Sequence, residues 1–258
     1  MQRIQHGALA YYRSESFDGL RHGIFTRLGG TSATPFDSLN VGGNIGDDPA
    51  SVRANHLSMW DALAVDDARV CTVWQVHGAD VIAAVAPDPD RRWLAKADAL
   101  ITDQRDLPLS MRFADCTPIL LYDPRRRAIG IVHAGWRGTV QGVASAAVQA
   151  MQTHYGVDPA DLRALIGPSI SVDRYQVGQE VVDAVYAQFA TLDGLVKIDP
   201  DDGSAWFDLW AANRLDLERV GVRQIEIAGL CTAARTDEFF SHRAEGGRTG
   251  RFGAMICL

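Results

Sequence analysis

Short apolar runs rich in Val and Ile, each closed within a few residues by Gly, Pro or Asp, recur along this chain and set what it can fold into. They lie at Val70–Trp74, Val81–Val85, Ile119–Tyr122, Ile129–Val132, Leu162–Ile166, Ile225–Ile227 and Ala254–Cys257. Runs of this length and make-up read as strands. The polar turn Asp123-Pro124-Arg125-Arg126-Arg127 between two of them predicts a hairpin. Three segments carry helical spacing instead. From Thr139 to His154, Val140, Val143, Ala144, Ala147, Val148 and Met151 form one stripe, with Gly156 as its stop. From Gly178 to Phe189, Val181, Val182, Val185 and Phe189 share a face. Asp208 is placed to cap a third helix that buries Leu209, Ala212, Leu217 and Val220 and stops at Gly221. Helices alternate irregularly with strand pairs, which favours mixed sheets covered by helices over a repeated βαβ unit.

No internal repeat, low-complexity stretch or linker divides the chain. Its breaker-rich segments, Leu28–Pro49 and Pro87–Asp90, read as surface loops of a single domain spanning 1–258. At 47% hydrophobic and 22% charged residues, the chain can bury a core. No apolar run is long enough to cross a bilayer, and Met1–Ser14 lacks the apolar centre of a signal peptide, so the cytoplasm is the expected compartment. A net charge of −7 argues against nucleic acid as a partner. The two lysines, Lys96 and Lys197, lie outside any Gly-rich phosphate loop, which argues against a P-loop nucleotide hydrolase.

The cysteines stand at 71, 116, 231 and 257, without a C-x-x-C pair. That spacing is neither a disulfide framework nor a zinc ribbon, but it permits a mixed site of one Cys with distant His. His77, Cys116 and His133 each sit where polar residues interrupt an apolar run. One thiolate and two imidazoles make a reasonable zinc set with the fourth position open, the arrangement of catalytic rather than structural sites. Ordinary roles stay open to each of them: His77 as a turn residue, Cys116 as a small core residue. Beyond His133, Gly135 to Gly138 lead into a helix, and the free N–H groups of a helix N-terminus favour an anion; a tight strand-to-helix turn explains the glycines equally well. Arg27 beside Gly29-Gly30 and Arg243 after Phe239-Phe240-Ser241-His242 are candidate phosphate or carboxylate forks, or solvated loop charges.

The segments FTRLGGTS (Phe25–Ser32), QVHGAD (Gln75–Asp80), ADALIT (Ala97–Thr102), FADCTPILLYD (Phe113–Asp123), VHAGWRG (Val132–Gly138), IGPSI (Ile166–Ile170) and FFSHR (Phe239–Arg243) occur in this order. Together the chain resembles the bacterial laccase-domain family from about Phe25 to its end. Members are known as polyphenol oxidoreductase, peptidoglycan-editing factor and zinc-dependent purine nucleoside phosphorylase. The resemblance implies a metal held by His77, Cys116 and His133, and an α+β fold, an α/β/β/α sandwich of mixed sheets. It implies phosphorolysis of adenosine, inosine and methylthioadenosine, and deamination of adenosine. The alternative it implies is an amidase acting on serine-containing cell-wall precursors, with zinc-activated water or Cys116 as nucleophile.

For the nucleoside reading, the catalytic set is His77, Cys116 and His133. Arg27, Arg243 and Gly135 are the expected phosphate contacts, and Gln75 and Asp115 orient the centre. The expected partners are a nucleoside and phosphate, with neither nucleic acid nor membrane, and the expected state is a monomer. Copper oxidase chemistry is opposed by the histidines: seven, scattered along the chain, are too few for a blue-copper centre plus a trinuclear cluster. Copper could still occupy the single site adventitiously.

Overall fold

The computed structural model describes residues 1–90 and 93–258. The chain opens with β1 (Gln2–His6), β2 (Leu9–Arg13) and β3 (Arg21–Phe25), then runs irregularly to α1 (Pro49–Ala62). β4 (Val81–Ala83), β5 (Ala99–Thr102) and β6 (Leu109–Phe113) follow, and then the hairpin of β7 (Thr117–Asp123) and β8 (Ala128–Ala134). α2 (Trp136–Val140), α3 (Val143–Tyr155), β9 (Arg163–Ile166) and β10 (Gln176–Val177) come next. The remainder is α4 (Gln179–Phe189), β11 (Val196–Ile198), β12 (Ala205–Phe207), α5 (Leu209–Arg219), β13 (Gln224–Ile227) and β14 (Phe252–Cys257).

Two large sheets carry the fold. One is antiparallel in the order β1-β2-β3-β14-β6; the other is mixed, β13-β9-β7-β8-β5-β4, with parallel pairs only at its two edges. Side-chain alternation builds the layers. On β7, Leu120 and Tyr122 join Ile129, Ile131, Ile24, Met111, Phe252 and Ile256 in the core between the sheets. Ile119 and Leu121 face the other way, against Val143, Ala147, Val148 and Met151 of α3. On the outer face of the antiparallel sheet, Tyr11, Phe25 and Met255 pack on Met59 and Trp60 of α1. The result is helix, sheet, sheet, helix, a mixed α/β architecture as expected. The small sheet β10-β12-β11 packs beside it with α4.

The hairpin forms at Asp123–Arg127, where Asp123 Oδ1 accepts from the Arg125 and Arg126 amides. Asp208 caps α5 by accepting from Ala211 N, and Gly156 ends α3 in the left-handed region. The expected helix over 139–154 is instead two helices. Gly142 at φ +74° breaks it, and a side chain there would meet Ser145 Oγ. Val70–Trp74 is extended but pairs only through single bridges, so no strand forms there. The segment Leu28–Pro49 is not a plain surface loop. Leu39 and Asn40 are fully buried, and Asn55 of α1 ties the loop down through Ser32 Oγ, Ser38 O and Asn40 O. α1 escapes a periodicity reading because that buried Asn55 interrupts its apolar stripe. No helix is long and apolar enough to cross a membrane among the described residues.

One buried histidine of this framework sets an acid limit. His22 on β3 accepts from Ser14 N at Nε2 (3.0 Å), and its Nδ1 lies 3.1 Å from Leu20 O. Burial pushes its pKa down to about 4. Between that value and the ordinary 6.5 the unfolded chain binds a proton that the folded chain refuses. Stability is therefore retained above pH 6.5 and lost as pH falls toward 4, by up to about 3 kcal/mol. Urea unfolding at pH 7 and pH 4.5 should show this loss, and His22→Gln should reduce it; an undiminished loss in the variant would remove His22 as its cause.

Candidate metal centre

Three separate turns bring His77, Cys116 and His133 together. His77 follows the bridge at Trp74, with φ +62°; Cys116 closes the β6–β7 turn after Asp115, with φ +80°; His133 lies near the end of β8. Left-handed backbone at non-glycine residues is costly and tends to mark sites where the surroundings hold it in place. One ligand atom from each of the three lies within 4.8 Å of the others. His77 is exposed, Cys116 partly buried and His133 buried.

Asp98, at the start of β5 and fully buried, locks this arrangement. Its Oδ1 lies 2.8 Å from His133 Nδ1 and accepts from His77 N, while Oδ2 accepts from Val76 N and Gly78 N. One carboxylate thus fixes the backbone of one ligand and the ring of another, leaving His133 Nε2 for the centre. Burial would raise the Asp98 pKa, but these bonds hold it below the usual carboxylate value. Burial would likewise raise the Cys116 thiol, but His133 and His77 outweigh it and bring it down to about 6. His133 is opposed by burial too, yet Cys116 and Asp98 raise it to about 9. The thiol is therefore held as thiolate, the form that binds metal. Gly135 makes room for it: a Cβ there would stand 2.9 Å from Cys116 Sγ and 3.1 Å from the His77 ring.

The three side chains open on a cleft of about 650 Å³. Trp74 and Trp93, with perpendicular rings 4.3 Å apart, and Trp136 and Tyr175 supply aromatic walls. The expected supporting residues fall in different places. Gln75 lines the cleft but holds Arg112, donating to Arg112 O and accepting from Arg112 N and Nε. Asp115 lines it too, with its carboxylate accepting from Thr232 Oγ1 and Arg243 N, which secures the turn before Cys116. Gly135 caps α2 and serves the close approach to sulfur. Arg243 reaches the cleft while stacked over Tyr175 and donating to Gln176 O.

Arg27 is the departure. It lies outside the cleft lining, buried, its guanidinium bonded to Glu245, Asp37 O and Thr236 O and stacked on Phe240. A fork so occupied cross-links two loops and has little left for phosphate. Phe239 and Phe240, just before Arg243 in sequence, are fully buried core residues. Sequence reasoning missed Asp98, Arg112 and His56. The one signal for Asp98 was its place in the ADALIT segment.

Over residues 21–258 the sequence matches the family described as multi-copper polyphenol oxidoreductase laccase. The chain belongs to this family. It is 38% identical to a purine nucleoside phosphorylase of Streptomyces coelicolor, over 95% of this chain and 98% of that one. It is 36% identical to purine nucleoside phosphorylase YlmD of Geobacillus stearothermophilus, covering 93% and 90%. The crystal structure of that YlmD superposes with a TM-score of 0.91 at 34% identity, covering 99% of this chain and 98% of the other. YfiH of Bacillus licheniformis gives the same TM-score at 33% identity and the same coverage. The family is a metal-binding one, and the His77–Cys116–His133 set fits a metal: soft and borderline donors converge, with the supporting carboxylate already in place. Despite the multi-copper description, this is the one group of three or more such side chains found among the described residues.

Proposed function

We propose that this laccase-family chain is a single-domain, zinc-dependent purine nucleoside phosphorylase, acting on adenosine, inosine and methylthioadenosine. The observation that carries the reading is the three-donor centre opening on an aromatic-walled cleft, in a chain whose curated relatives bear that activity in their names. In the reaction a phosphate oxygen forms a bond to the ribose C1′ as the glycosidic C–N bond breaks. The electron pair leaves with the purine, which takes up the phosphate proton. Zinc, when bound, supplies positive charge beside the reacting centre. His77, Cys116 and His133 hold it, Asp98 orients His133, and the tryptophans and Tyr175 offer flat faces to the purine and keep water from it.

Adenosine deamination, in which water replaces the 6-amino group as ammonia leaves, is a second activity of the same centre in this reading. The protein works as a cytoplasmic monomer with nucleoside and phosphate as its small-molecule partners. Copper would enter the site only adventitiously. The amidase reading uses the same residues, and the approach of His133 to Cys116 favours it to the extent of supplying a thiolate with an adjacent imidazolium, able to protonate the leaving amine.

Zinc-loaded protein given inosine should release hypoxanthine and ribose 1-phosphate only when phosphate is present. Hypoxanthine appearing at the same rate without phosphate, or no turnover of any of the three nucleosides, would overturn the phosphorylase reading.

A further inference from the structure

The cleft is lined by four arginines and, among the described residues, by one acidic side chain, Asp115, whose oxygens are already engaged. In a chain of net charge −7 this is a marked segregation of positive charge. The four arginines are not equivalent. Arg137 and Arg243 are exposed and lie over Trp136 and Tyr175. Arg112 and Arg251 are partly buried, and neither has a carboxylate partner among the described residues. Arg112 donates to Val73 O and Gln75 Oε1, leaving Nη1 without a partner among the described residues. Arg251 donates from Nη1 to Thr249 O and Gly250 O, leaving Nε and Nη2 without a partner among the described residues.

Sheet register puts these two on one face. Arg112 pairs with Gly253 across β6 and β14, so Arg251, two residues before Gly253, is its diagonal neighbour on the same face. That face looks toward α1, where His56 lines both the main cleft and an adjoining cavity of about 310 Å³ also bordered by Arg112. The His56 Nδ1 is buried with no partner. Burial lowers the pKa of Arg112 to about 10; burial also lowers that of Arg251, against the raising effect of Cys116 and Asp115, and both stay charged at neutral pH. Two desolvated cations that line one cleft and keep spare N–H groups are stabilised by an anion that reaches both. The backbone carbonyls and Gln75 that hold their forks aim them without neutralising them.

We propose that Arg112 and Arg251 form an oxyanion subsite, bordered by His56, that takes up orthophosphate as the co-substrate. This deepens the phosphorylase reading and rests on it for the identity of the anion. The nucleoside then lies between this subsite and the metal centre.

The test uses zinc-loaded protein with Arg112→Gln and Arg251→Gln, and Arg214→Gln on the exposed face of α5 as a surface control. At saturating inosine, each cleft variant should raise the KM for phosphate by about tenfold or more while the KM for inosine moves less than about twofold. Arg→Lys at either position should recover part of the loss, because charge is kept and the fork is not. Wild-type phosphate KM in both Gln variants would overturn the subsite. Thermal unfolding checks folding; if Arg112→Gln does not fold, Arg251→Gln and Arg112→Lys carry the test. Calorimetric titration of orthophosphate without nucleoside separates the two readings. Binding that both Gln variants lose, with no nucleoside turnover, sustains the subsite and overturns the phosphorylase. Binding of a nucleoside 5′-phosphate but not of orthophosphate would overturn orthophosphate as the ligand.

Discussion

Cys116→Ala is expected to lose bound zinc and to lower nucleoside phosphorolysis by more than the roughly 100-fold that removal of an outer-shell partner costs a metal site. The sulfur is one of three donors, and the other two are neutral imidazoles when they bind a metal. Without the thiolate the centre loses its only anionic ligand. The same atom gives a second readout. A thiol with a pKa of about 6 is mostly thiolate at neutral pH and should be alkylated quickly once free. In zinc-loaded protein it should resist iodoacetamide until a chelator is added. Cys71 and Cys257 are buried with raised pKa values and do not compete for the reagent. Rapid alkylation of the zinc-loaded protein at Cys116 would make it a free nucleophile and favour amide hydrolysis. Metal analysis showing full zinc in Cys116→Ala would remove it as a ligand.

Asp98→Ala should have the largest effect on the fold around the site. It leaves the buried His133 Nδ1–H and three partly buried backbone N–H groups, at Val76, His77 and Gly78, without their acceptor. Loss of a buried charged acceptor of this kind costs about 3–5 kcal/mol. At about 2–4 °C per kcal/mol for a chain of this size, the melting temperature should fall by roughly 10 °C. Asp98→Asn keeps an acceptor oxygen and should fold better, while zinc affinity drops about 10- to 100-fold because His133 is no longer held by a carboxylate. Chelator competition measures that affinity. Unchanged affinity in Asp98→Asn would show that the backbone alone positions the ligands.

The β7–β8 hairpin, the strands β4, β9, β13 and β14, and the Asp208 cap were legible because each rests on neighbours in sequence, whereas β1, β2, β3 and β6 went unread. Alternation of Ile119, Leu120, Leu121 and Tyr122 needs no distant partner to be read as a strand, nor does Asp208 to be read as a cap. Where local signals were diluted, the reading faltered. Asn55 interrupts the stripe of α1, and Gly142 divides what periodicity joins. The ligand triad was legible in a different way, through short motifs carried by the resemblance, since no local spacing links His77 to Cys116 or His133.

Charge partners were where sequence had least to offer. Arg27 and Arg251 both stand within two residues of a glycine in loop-like segments and look alike as text. Glu245, far along the chain, meets Arg27 and consumes it, whereas among the described residues Arg251 forms no salt bridge and its guanidinium is held by backbone carbonyls. Asp98 and Arg112 behave likewise: one draws together two ligands, the other is aimed by Gln75 and Val73, and neither relation is written locally. By itself, then, the sequence determined the central hairpin, several strands, the outlines of three helical segments and the Asp208 cap, and the residue types able to hold a metal. Tertiary structure alone decided which arginine is spent on the fold and which is left for a ligand. The reason is electrostatic. A side chain's propensity is its own, but its free charge depends on what opposing charge packing brings within reach.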